Sequence, residues 1–292
     1  MGWVPQIVAL TGANGMVGRH VSAALEREKI SCVRSGRAEW DLRSWLGDDE
    51  LDRMFGTSEA IIHAGAAVPS PGMPISDKDI FDANVRSCLC LGEWARKRAK
   101  LLIFLSGAIV YERPDKAGIR EEDPVSTRSS SGQYGLSKLL GEQLLDSLAG
   151  CGLDLCVLRP SSVYGAGMSE TRMIASMLGK AQRGDEIRLK PPVRDRINLL
   201  HAADLADAIV AALCAEARGV FNVAGPSTVS IAEIAAACIE IAESGNVILP
   251  ADDDLKGTLK YDLDYGKASA AFGYVPRVCL KEGLRRSMLG QF

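Results

Sequence analysis

The stretch that decides the fold lies near the N-terminus and runs IVALTGANGMVGRHV, from Ile7 to Val21. It places Gly12, Gly15 and Gly18 directly after an apolar strand and into the start of a helix. Glycine at these points allows a tight turn, a close approach of the backbone to a pyrophosphate, and close packing of helix on sheet. The free N–H groups at the helix N-terminus then favour phosphate. A glycine triplet also occurs at ordinary strand–turn–helix corners, but here an apolar strand precedes it and an amphipathic helix follows, which favours dinucleotide binding.

Short apolar runs alternate with helix-length segments along most of the chain. Strands are predicted at 6–10, 30–34, 60–63, 101–105 and 153–158, and helices at 16–29, 77–100 and 133–148. Beyond them, helices are predicted at 172–184, 204–217 and 231–243, with Ser230 and Glu233 as a capping box, and strands at 198–200 and 220–223. This alternation implies right-handed crossovers and a parallel sheet covered on both faces.

The predicted fold class is therefore α/β. A doubly wound, Rossmann-type parallel sheet is joined to a smaller C-terminal mixed α/β domain that binds the substrate. We place the dinucleotide-binding domain at 1–165 plus about 197–224, and the substrate-binding domain at about 166–196 plus 225–292.

Composition and charge exclude several functional classes. The 292 residues include 34 Lys and Arg against 37 Asp and Glu, for a net charge of −3, and 47% are hydrophobic. Such a chain is too apolar to be disordered and too near neutral to bind nucleic acid through charge. No apolar run reaches the roughly 18 residues of a membrane span, and the N-terminus lacks a signal-peptide pattern. We expect a cytoplasmic protein that binds neither nucleic acid nor membrane.

Metal binding is not expected either. The eight cysteines form no Cys-x-x-Cys pair, and there are only three histidines. Because a zinc site needs clustered ligands, the cysteines are interpreted as buried free thiols in a reducing compartment.

A second motif, QYGLSK, places Tyr134 four residues before Lys138 at the start of a predicted helix, so both side chains share one face. A free tyrosine titrates near ~10 and is a poor acid–base catalyst at neutral pH. We expect the Lys138 ammonium to stabilise the phenolate and to lower the pKa of Tyr134. Tyr134 would then exchange a proton with a substrate hydroxyl or carbonyl while hydride passes to or from a nicotinamide, and Lys138 would also hold the nicotinamide ribose.

With Thr11 in front, the glycine spacing of TGANGMVG resembles the extended branch of the short-chain dehydrogenase/reductase superfamily. The segments LRPSSVYG (158–165), INLLHAADLA (197–206) and FNVAG (221–225) resemble further elements of its NAD(P)-dependent epimerase/dehydratase group, so the likeness covers nearly the whole chain. The glycine loop, this resemblance and the Tyr–Lys motif together predict a set of cofactor-binding residues. They are Gly12, Asn14, Gly15, Met16, Val17, Gly18, Asp41, Leu42, Ala64, Gly65, Ala66, Tyr134, Lys138, Pro160 and Val163.

The sequence departs from the family pattern at one catalytic position. The family's usual Ser-Ser-x-x-Val-Tyr-Gly segment, whose hydroxyl binds the reacting oxygen, reads SGAIVYE from Ser106 to Glu112. Aligned on its Val-Tyr pair, Gly107 stands where the hydroxyl is expected, and Ser106 lies one residue early, where a strand would point it to the other face. Ser106 substitutes if the strand end is bent, or a residue of the substrate domain takes its place, and Gly107 and Ala108 are expected beside the substrate. Loss of one such donor costs ~100- to 1,000-fold in rate, so a crippled site is the alternative.

The end of the second strand bears on the choice of cofactor. In NAD-preferring relatives an acid usually sits near this point, but no Asp or Glu occurs between residues 30 and 38, where Arg34, Ser35 and Arg37 are found. A guanidinium here would pair with the 2′-phosphate of NADP. These residues favour NADP(H) as the cofactor, and NAD(H) is the alternative. Without a role in cofactor binding, Arg34 and Arg37 would be ordinary solvated surface residues.

Many relatives act on nucleotide-diphosphate sugars and grip the diphosphate with an arginine. Arg196 is the better match for that role, although a surface pair with Asp195 explains it equally well, and Arg172 is a second candidate. The short chain resembles 4-keto-sugar reductases in size, which ranks an NADPH-linked reductase of a keto-sugar nucleotide first. An epimerase or dehydratase with tightly held NAD ranks second, and a catalytically impaired dinucleotide-binding regulatory protein is the alternative from another class. The resemblance also implies a homodimer formed through helices 77–100 and 133–148.

Overall fold

The computed structural model of the protein describes residues 3–72, 74–98, 100–128, 132–250 and 257–292. The strands are, in chain order, β1 (Ile7–Thr11), β2 (Ser31–Ser35), β3 (Ala60–His63), β4 (Leu101–Leu105), β5 (Leu155–Pro160), β6 (Ser162–Tyr164), β7 (Glu186–Arg188), β8 (Arg196–His201), β9 (Gly219–Val223), β10 (Thr228–Ser230), β11 (Asn246–Ile248) and β12 (Leu259–Lys260). The α-helices are α1 (Met16–Arg27), α2 (Asp48–Phe55), α3 (Asp77–Phe81), α4 (Ser87–Lys97), α5 (Gly132–Ala149), α6 (Met173–Gln182), α7 (Ala202–Cys214), α8 (Ile231–Ala242), α9 (Gly266–Phe272) and α10 (Leu280–Met288).

The main sheet has six parallel strands in the order β2-β1-β3-β4-β5-β9. The chain forms β2 on one side of β1 and later forms β3 on the other side. This reversal is a topological switch point, and ligands of such sheets bind in the crevice at the carboxyl ends of the strands there. The predicted doubly wound parallel sheet is confirmed, and the glycine loop at 12–18 lies at the switch point.

Alternate residues of the central strands enter two different cores, as the period of two in a strand requires. Val8 and Leu10 of β1 pack in the core covered by α1 and α7, whereas Ala9 faces the core covered by α2, α4 and α5. Leu91 and Trp94 of α4 are fully buried in the second core. Because the strands are buried on both faces, they read as continuous apolar runs, which is why the sequence located them.

The C-terminal part builds a smaller, mixed structure. Strand β8 pairs with β10 in antiparallel fashion and with β6 and β12 in parallel fashion, while β7 and β11 form a separate parallel pair. Helices α6, α8 and α10 enclose a third core. The predicted capping box of α8 is present, since Ser230 Oγ accepts from the Glu233 N–H at 3.1 Å and Glu233 Oε2 accepts from the Ser230 N–H at 2.6 Å. The residue boundaries of the two domains stay a prediction.

The helix predicted at 77–100 is interrupted. Between α3 and α4 the backbone forms a π-helical turn, Asp82–Arg86. The turn carries Asn84, whose side chain accepts from the Ala67 N–H at 2.7 Å and donates to the Ala67 carbonyl at 3.0 Å and to Ser137 Oγ at 3.0 Å. These bonds tie the helix pair to the loop after β3 and to α5. Sequence periodicity also missed α2, α9, α10 and the strands of two or three residues, which are too short to show a period.

Within the described ranges, no helix is long and apolar enough to span a membrane. The same ranges hold no group of three or more His, Cys, Asp or Glu side chains placed to bind a metal ion. All eight cysteines are free thiols, but the expectation that they are buried fails for Cys151 and Cys279, which are exposed.

Candidate active site

A cleft of about 1070 Å³ opens at the carboxyl edge of the main sheet, along the loops that follow β1, β3, β4 and β5. It brings together most of the residues singled out from the sequence. Those that line it are Gly12, Asn14, Gly15, Met16, Val17, Gly18, Arg37, Asp41, Leu42, Ala64, Gly65, Ala66, Ser106, Gly107, Ala108, Tyr134, Lys138, Pro160, Val163 and Arg172.

Three expected residues lie outside the cleft lining. Arg34 turns its Nε to Ser22 Oγ at 3.1 Å. Ser35 is buried, and its carbonyl accepts from the N–H of the glycine-loop residue Ala13 at 3.2 Å. Arg196 is half-exposed and donates from Nη1 to Glu233 Oε2 at 3.1 Å. Arg34 and Arg196 are therefore held by side-chain partners elsewhere in the fold, and Ser35 contributes backbone support to the loop.

The glycine loop meets the loop after β3 at very short range. Gly12 has φ +69°, and a Cβ added there would lie 2.5 Å from the Gly65 Cα. A Cβ at Gly18 would lie 2.2 Å from the Gly12 carbonyl oxygen. Helix α1 begins after Gly15 with no side-chain cap on its first N–H groups. The result is a side-chain-free cradle with unpaired donors at a helix N-terminus, which fits the pyrophosphate of a dinucleotide.

A buried chain of polar groups supports this cradle. Ser87 Oγ donates to the Ala83 carbonyl at 2.6 Å, so at 3.3 Å it accepts from His63 Nε2. His63 Nδ1 is then the acceptor for the Thr11 hydroxyl at 2.7 Å, and Thr11 Oγ1 accepts from the Gly65 N–H at 3.3 Å. Burial lowers the pKa of His63 to about 3, so the neutral imidazole persists at neutral pH. Sequence reasoning missed this link, although a histidine at the end of a fully apolar strand was a visible signal.

Tyr134 and Lys138 lie in the first turns of α5 and face the cleft. Lys138 is 4% exposed, and its Nζ donates to the Leu105 carbonyl at 2.8 Å and lies 5.0 Å above the Phe104 ring. Burial lowers the pKa of Lys138 to about 8.

The expected effect of Lys138 on Tyr134 needs correction. Burial raises the pKa of Tyr134 to about 12, and the cation that opposes this rise is Arg172. Lys138, whose Nζ donates to the Leu105 carbonyl, is not among the groups that lower the pKa of Tyr134. Tyr134 therefore carries its proton at neutral pH and is placed as a proton donor.

The segment after β4 differs from its expected geometry. Strand β4 ends at Leu105, so the alternation that would turn Ser106 away no longer applies, and both Ser106 and Gly107 line the cleft. Ser106 is 6% exposed, and its Oγ has no hydrogen-bond partner among the described residues. Gly107 has an extended backbone with φ 174°, and the nearest atom to an added Cβ is Ile109 Cγ2 at 3.7 Å. Ser106 thus brings a hydroxyl without a partner among the described residues to the cleft, and position 107 has room for another.

The end of the cleft beside β2 is polar. Arg37 lines it together with Asp41 and Arg43. A side-chain hydrogen bond from Arg43 holds the pKa of Asp41 at about 2, and the charge of Arg37 adds to that effect. Glu39, just beyond the stretch considered in the sequence, returns to accept from the Gly36 N–H at 2.7 Å. A carboxylate therefore does approach the end of β2, where it is tied to backbone.

A buried ion pair anchors the helix that carries the Tyr–Lys motif. Glu142, one turn beyond Lys138, accepts from Arg159 Nη2 at 2.6 Å, and both residues are at most 5% exposed. Arg159 Nη1 donates to the Tyr111 hydroxyl at 3.1 Å, which donates to Asn222 Oδ1 at 2.7 Å. This network joins α5 to β5 and β9 behind the cleft, and its members were not singled out from the sequence.

Comparison with known proteins agrees with this geometry. Residues 8–224 match the model of the NAD dependent epimerase/dehydratase family. The chain is 28% identical over 261 residues to dTDP-4-dehydro-6-deoxy-D-allose reductase of a Streptomyces species, covering 80% of each chain. It is 30% identical over 247 residues to UDP-glucose 4-epimerase of Azospirillum brasilense, covering 73% of this chain and 69% of the epimerase.

A solved structure shares the fold over almost the full length. UDP-glucose 4-epimerase from Thermotoga maritima, crystallised with UDP-glucose, superposes with a TM-score of 0.80 at 21% identity, over 97% of this chain and 98% of that one. The family model covers well over half of the present sequence. The chain belongs to the NAD-dependent epimerase/dehydratase family of extended short-chain dehydrogenases/reductases.

Proposed function

We propose that the protein reduces the carbonyl group of a keto-sugar nucleotide with NADPH. The observation that carries this proposal is the meeting of Tyr134, Lys138 and Ser106 with the glycine cradle in one cleft. Reduction of a carbonyl needs a proton donor at the oxygen, and the Tyr134 hydroxyl lines the cleft where a substrate would lie. Burial, which raises the pKa of Tyr134 to about 12, also favours the protonated form.

Each cleft residue has a role in this chemistry. When bound, the nicotinamide supplies hydride to the carbonyl carbon. The π electron pair of the carbonyl moves to its oxygen, which takes the Tyr134 proton, and water returns a proton to the phenolate. Lys138, fixed by the Leu105 carbonyl, holds the ribose beside Tyr134. Ser106, whose hydroxyl has no partner among the residues described, donates a hydrogen bond to the reacting oxygen. We assign Pro160 and Val163, which line the cleft, to the nicotinamide, and Gly107 and Ala108, which also line it, to the substrate.

The cofactor preference is proposed on narrower grounds. Of the basic residues expected at the end of β2, Arg37 lines the cleft and Arg34 does not. We assign Arg37 to the 2′-phosphate, and we expect NADPH to bind more tightly than NADH. A charge-assisted bond is worth ~1.5–3 kcal/mol, so Arg37→Ala should weaken NADPH by about 10- to 100-fold and leave NADH unchanged. Tighter binding of NADH by the parent protein contradicts the assignment.

The substrate class rests on the relatives and on the shape of the cleft. The Streptomyces relative is a dTDP-sugar reductase by name, and the cleft has space for a second ligand beyond the cradle.

We place the substrate domain at about 166–196 plus 225–292, with the rest, 1–165 plus about 197–224, as the dinucleotide domain. We also propose a homodimer through α3, α4 and α5, where Phe81 and Leu140 are exposed apolar residues, and a cytoplasmic location in keeping with the free thiols.

The test is a panel assay of NADPH oxidation with 4-keto-sugar nucleotides, run on the parent protein and on Tyr134→Phe. We expect turnover by the parent, and a loss of ~100-fold or more in Tyr134→Phe with unchanged NADPH binding. A sugar nucleotide converted without net oxidation of NADPH refutes the reductase and supports an epimerase or dehydratase, as in the Azospirillum relative. Cofactor binding without turnover, and no effect of Tyr134→Phe, refutes the enzyme and supports a regulatory protein.

A further inference from the structure

Gly107 is a glycine that the fold itself does not require. Its backbone is extended, with φ 174°, a conformation open to any residue. An added Cβ would meet Ile109 Cγ2 at 3.7 Å and the Pro160 carbonyl oxygen at 4.0 Å, which are ordinary contacts. Gly12 differs, because a Cβ there would lie 2.5 Å from a neighbouring Cα. Backbone strain and packing therefore do not account for a glycine at position 107.

The space beside Gly107 belongs to the cleft. Gly107 lines the cleft, and so do Ile109 and Pro160, the two residues nearest to an added Cβ. A side chain at position 107 would thus take volume from the cleft rather than from a core. The size of residue 107 therefore acts on whatever the cleft binds.

This space lies next to the residues of the proposed chemistry. Lys138 Nζ donates to the carbonyl of Leu105 at 2.8 Å, two residues before Gly107. Two residues of chain span at most ~7 Å. Between Leu105 and Gly107 stands Ser106, whose hydroxyl has no partner in the described part of the chain and is assigned to the reacting oxygen. A ligand group that fills the space at position 107 is therefore close to the reacting carbonyl.

The surroundings of this space suit an apolar group. Ile109 presents a methyl group to it, and the buried residue Ala108, which also lines the cleft, follows Gly107 directly. The Ile109 nitrogen and the Pro160 carbonyl oxygen both lie 4.0 Å from an added Cβ, beyond hydrogen-bond distance. A methyl group at that point loses nothing, whereas a hydroxyl there would reach neither atom.

We propose that position 107 receives a methyl group on the sugar carbon next to the reacting carbonyl, so that the substrate is a 4-keto-6-deoxy sugar nucleotide. The inference rests on the proposed carbonyl reduction and names its substrate class. In such a sugar the methyl group is bonded to C5, which is bonded to the carbonyl carbon. Ser106 and Gly107, whose Cα atoms are ~3.8 Å apart, match this short separation, since Ser106 binds the oxygen and Gly107 makes room for the methyl group.

The test compares two ketones that differ only by this methyl group, 4-keto-6-deoxyglucose and 4-ketoxylose, each offered as the dTDP and the UDP ester. One such group in an apolar pocket changes kcat/KM by ~10- to 200-fold, and we expect the parent to prefer the 6-deoxy ketone by such a factor. In Gly107→Ala the new methyl group takes the same space. We expect this variant to lose ~10- to 200-fold in kcat/KM with the 6-deoxy ketone and to keep the parent's value with 4-ketoxylose.

Gly107→Ser separates the proposal from the simple loss of a catalytic hydroxyl. We expect a loss with the 6-deoxy ketone, as in Gly107→Ala, and none with 4-ketoxylose. A rise in kcat with both ketones overturns the proposal, because a restored donor acts on any carbonyl.

The matched control is Gly47→Ala. Gly47 has an extended backbone before α2, lies outside the cleft lining, and its added Cβ has an ordinary contact at 3.7 Å. This variant should match the parent with both ketones. Gly107→Ala should unfold at the same urea concentration as the parent or at a higher one, so damage to the fold does not explain its loss; a lower midpoint contradicts the open space at position 107.

Calorimetric titration with unreactive sugars gives a readout that needs no turnover. We expect the parent to bind the 6-deoxyglucose esters of dTDP or UDP ~10-fold more tightly than the xylose esters, and Gly107→Ala to bind the two sugars alike. Equal affinities in the parent overturn the proposal. A parent that turns over neither ketone refutes the proposed function itself, whereas a parent that reduces both equally, or 4-ketoxylose faster, refutes only this inference.

Discussion

Gly12→Ala tests whether the cradle at the switch point is essential. The methyl group would lie 2.5 Å from the Gly65 Cα and 2.6 Å from its nitrogen, whereas carbon atoms rest at ~3.5–4.0 Å. The two loops must therefore part by about an ångström. Overpacking of this kind costs ~1–3 kcal/mol, and a left-handed backbone at a non-glycine residue costs a further ~1–2 kcal/mol. We expect the free energy of unfolding to fall by ~2–5 kcal/mol.

The matched control is Gly273→Ala. Gly273 has φ +71°, nearly the value at Gly12, but nothing lies within 4 Å of an added Cβ. It should lose only the ~1–2 kcal/mol of backbone strain. Urea denaturation measures both losses, and fluorescence titration measures NADPH binding.

Binding separates the two variants more sharply than stability does. Because the displaced loops are those that form the cradle, Gly12→Ala should bind NADPH ~10- to 100-fold more weakly, and Gly273→Ala should bind it as the parent does. If Gly12→Ala binds NADPH normally, the contact between the two loops does not form the cofactor site.

Three further changes have defined outcomes. Glu142→Gln leaves Arg159 as a buried unpaired charge and should lower the free energy of unfolding by ~3–5 kcal/mol. The control Glu240→Gln breaks an exposed pair with Lys281 and should lower it by at most ~1 kcal/mol. Equal losses of the two variants in urea denaturation contradict this prediction. Ser106→Ala removes a buried hydroxyl that has no partner in the described part of the chain, so it should leave stability unchanged or raise it slightly, yet lower kcat by ~100-fold or more. An unchanged kcat would remove Ser106 from the site. Burial lowers the pKa of all three histidines, that of His63 to about 3 and that of His201 to about 4. Below about pH 6.5 the unfolded chain binds protons at these histidines that the folded chain does not bind. The free energy of unfolding should therefore fall on acidification by ~1.4 kcal/mol per pH unit for each of His63 and His201. A flat urea profile from pH 6.5 to 4 contradicts this, and His63→Gln should reduce the slope.

The parts of the fold that the sequence predicted share one property, which is a long or strongly patterned signal. The inner strands of the main sheet, β1, β3, β4 and β5, are buried on both faces, and the capping box at Ser230 has side chains of defined chemistry at a fixed spacing. The strands β7, β10, β11 and β12 have two or three residues each, and their pairing depends on distant partners. No local pattern marks them.

The site residues also divide into those that a sequence motif locates and those that depend on distant contacts. Motif residues such as Gly12, Tyr134 and Lys138 were located by spacing, and the structure brings them to one cleft. The sequence could not tell which of Arg34 and Arg37 faces the cleft, because Arg34 is drawn away by a hydrogen bond to Ser22 of α1. The pKa of Tyr134 was also beyond sequence reasoning, since it depends on burial and on Arg172, which lies far away along the chain.

The most direct test of the account follows the hydride itself. Deuterium-labelled NADPH is incubated with the protein and a 4-keto-sugar nucleotide, and the product is examined by NMR and mass spectrometry. We predict one deuterium per product molecule, at the carbon that carried the carbonyl group, and one NADPH consumed for each sugar reduced. A sugar product without deuterium, or conversion with no net loss of NADPH, would contradict the account.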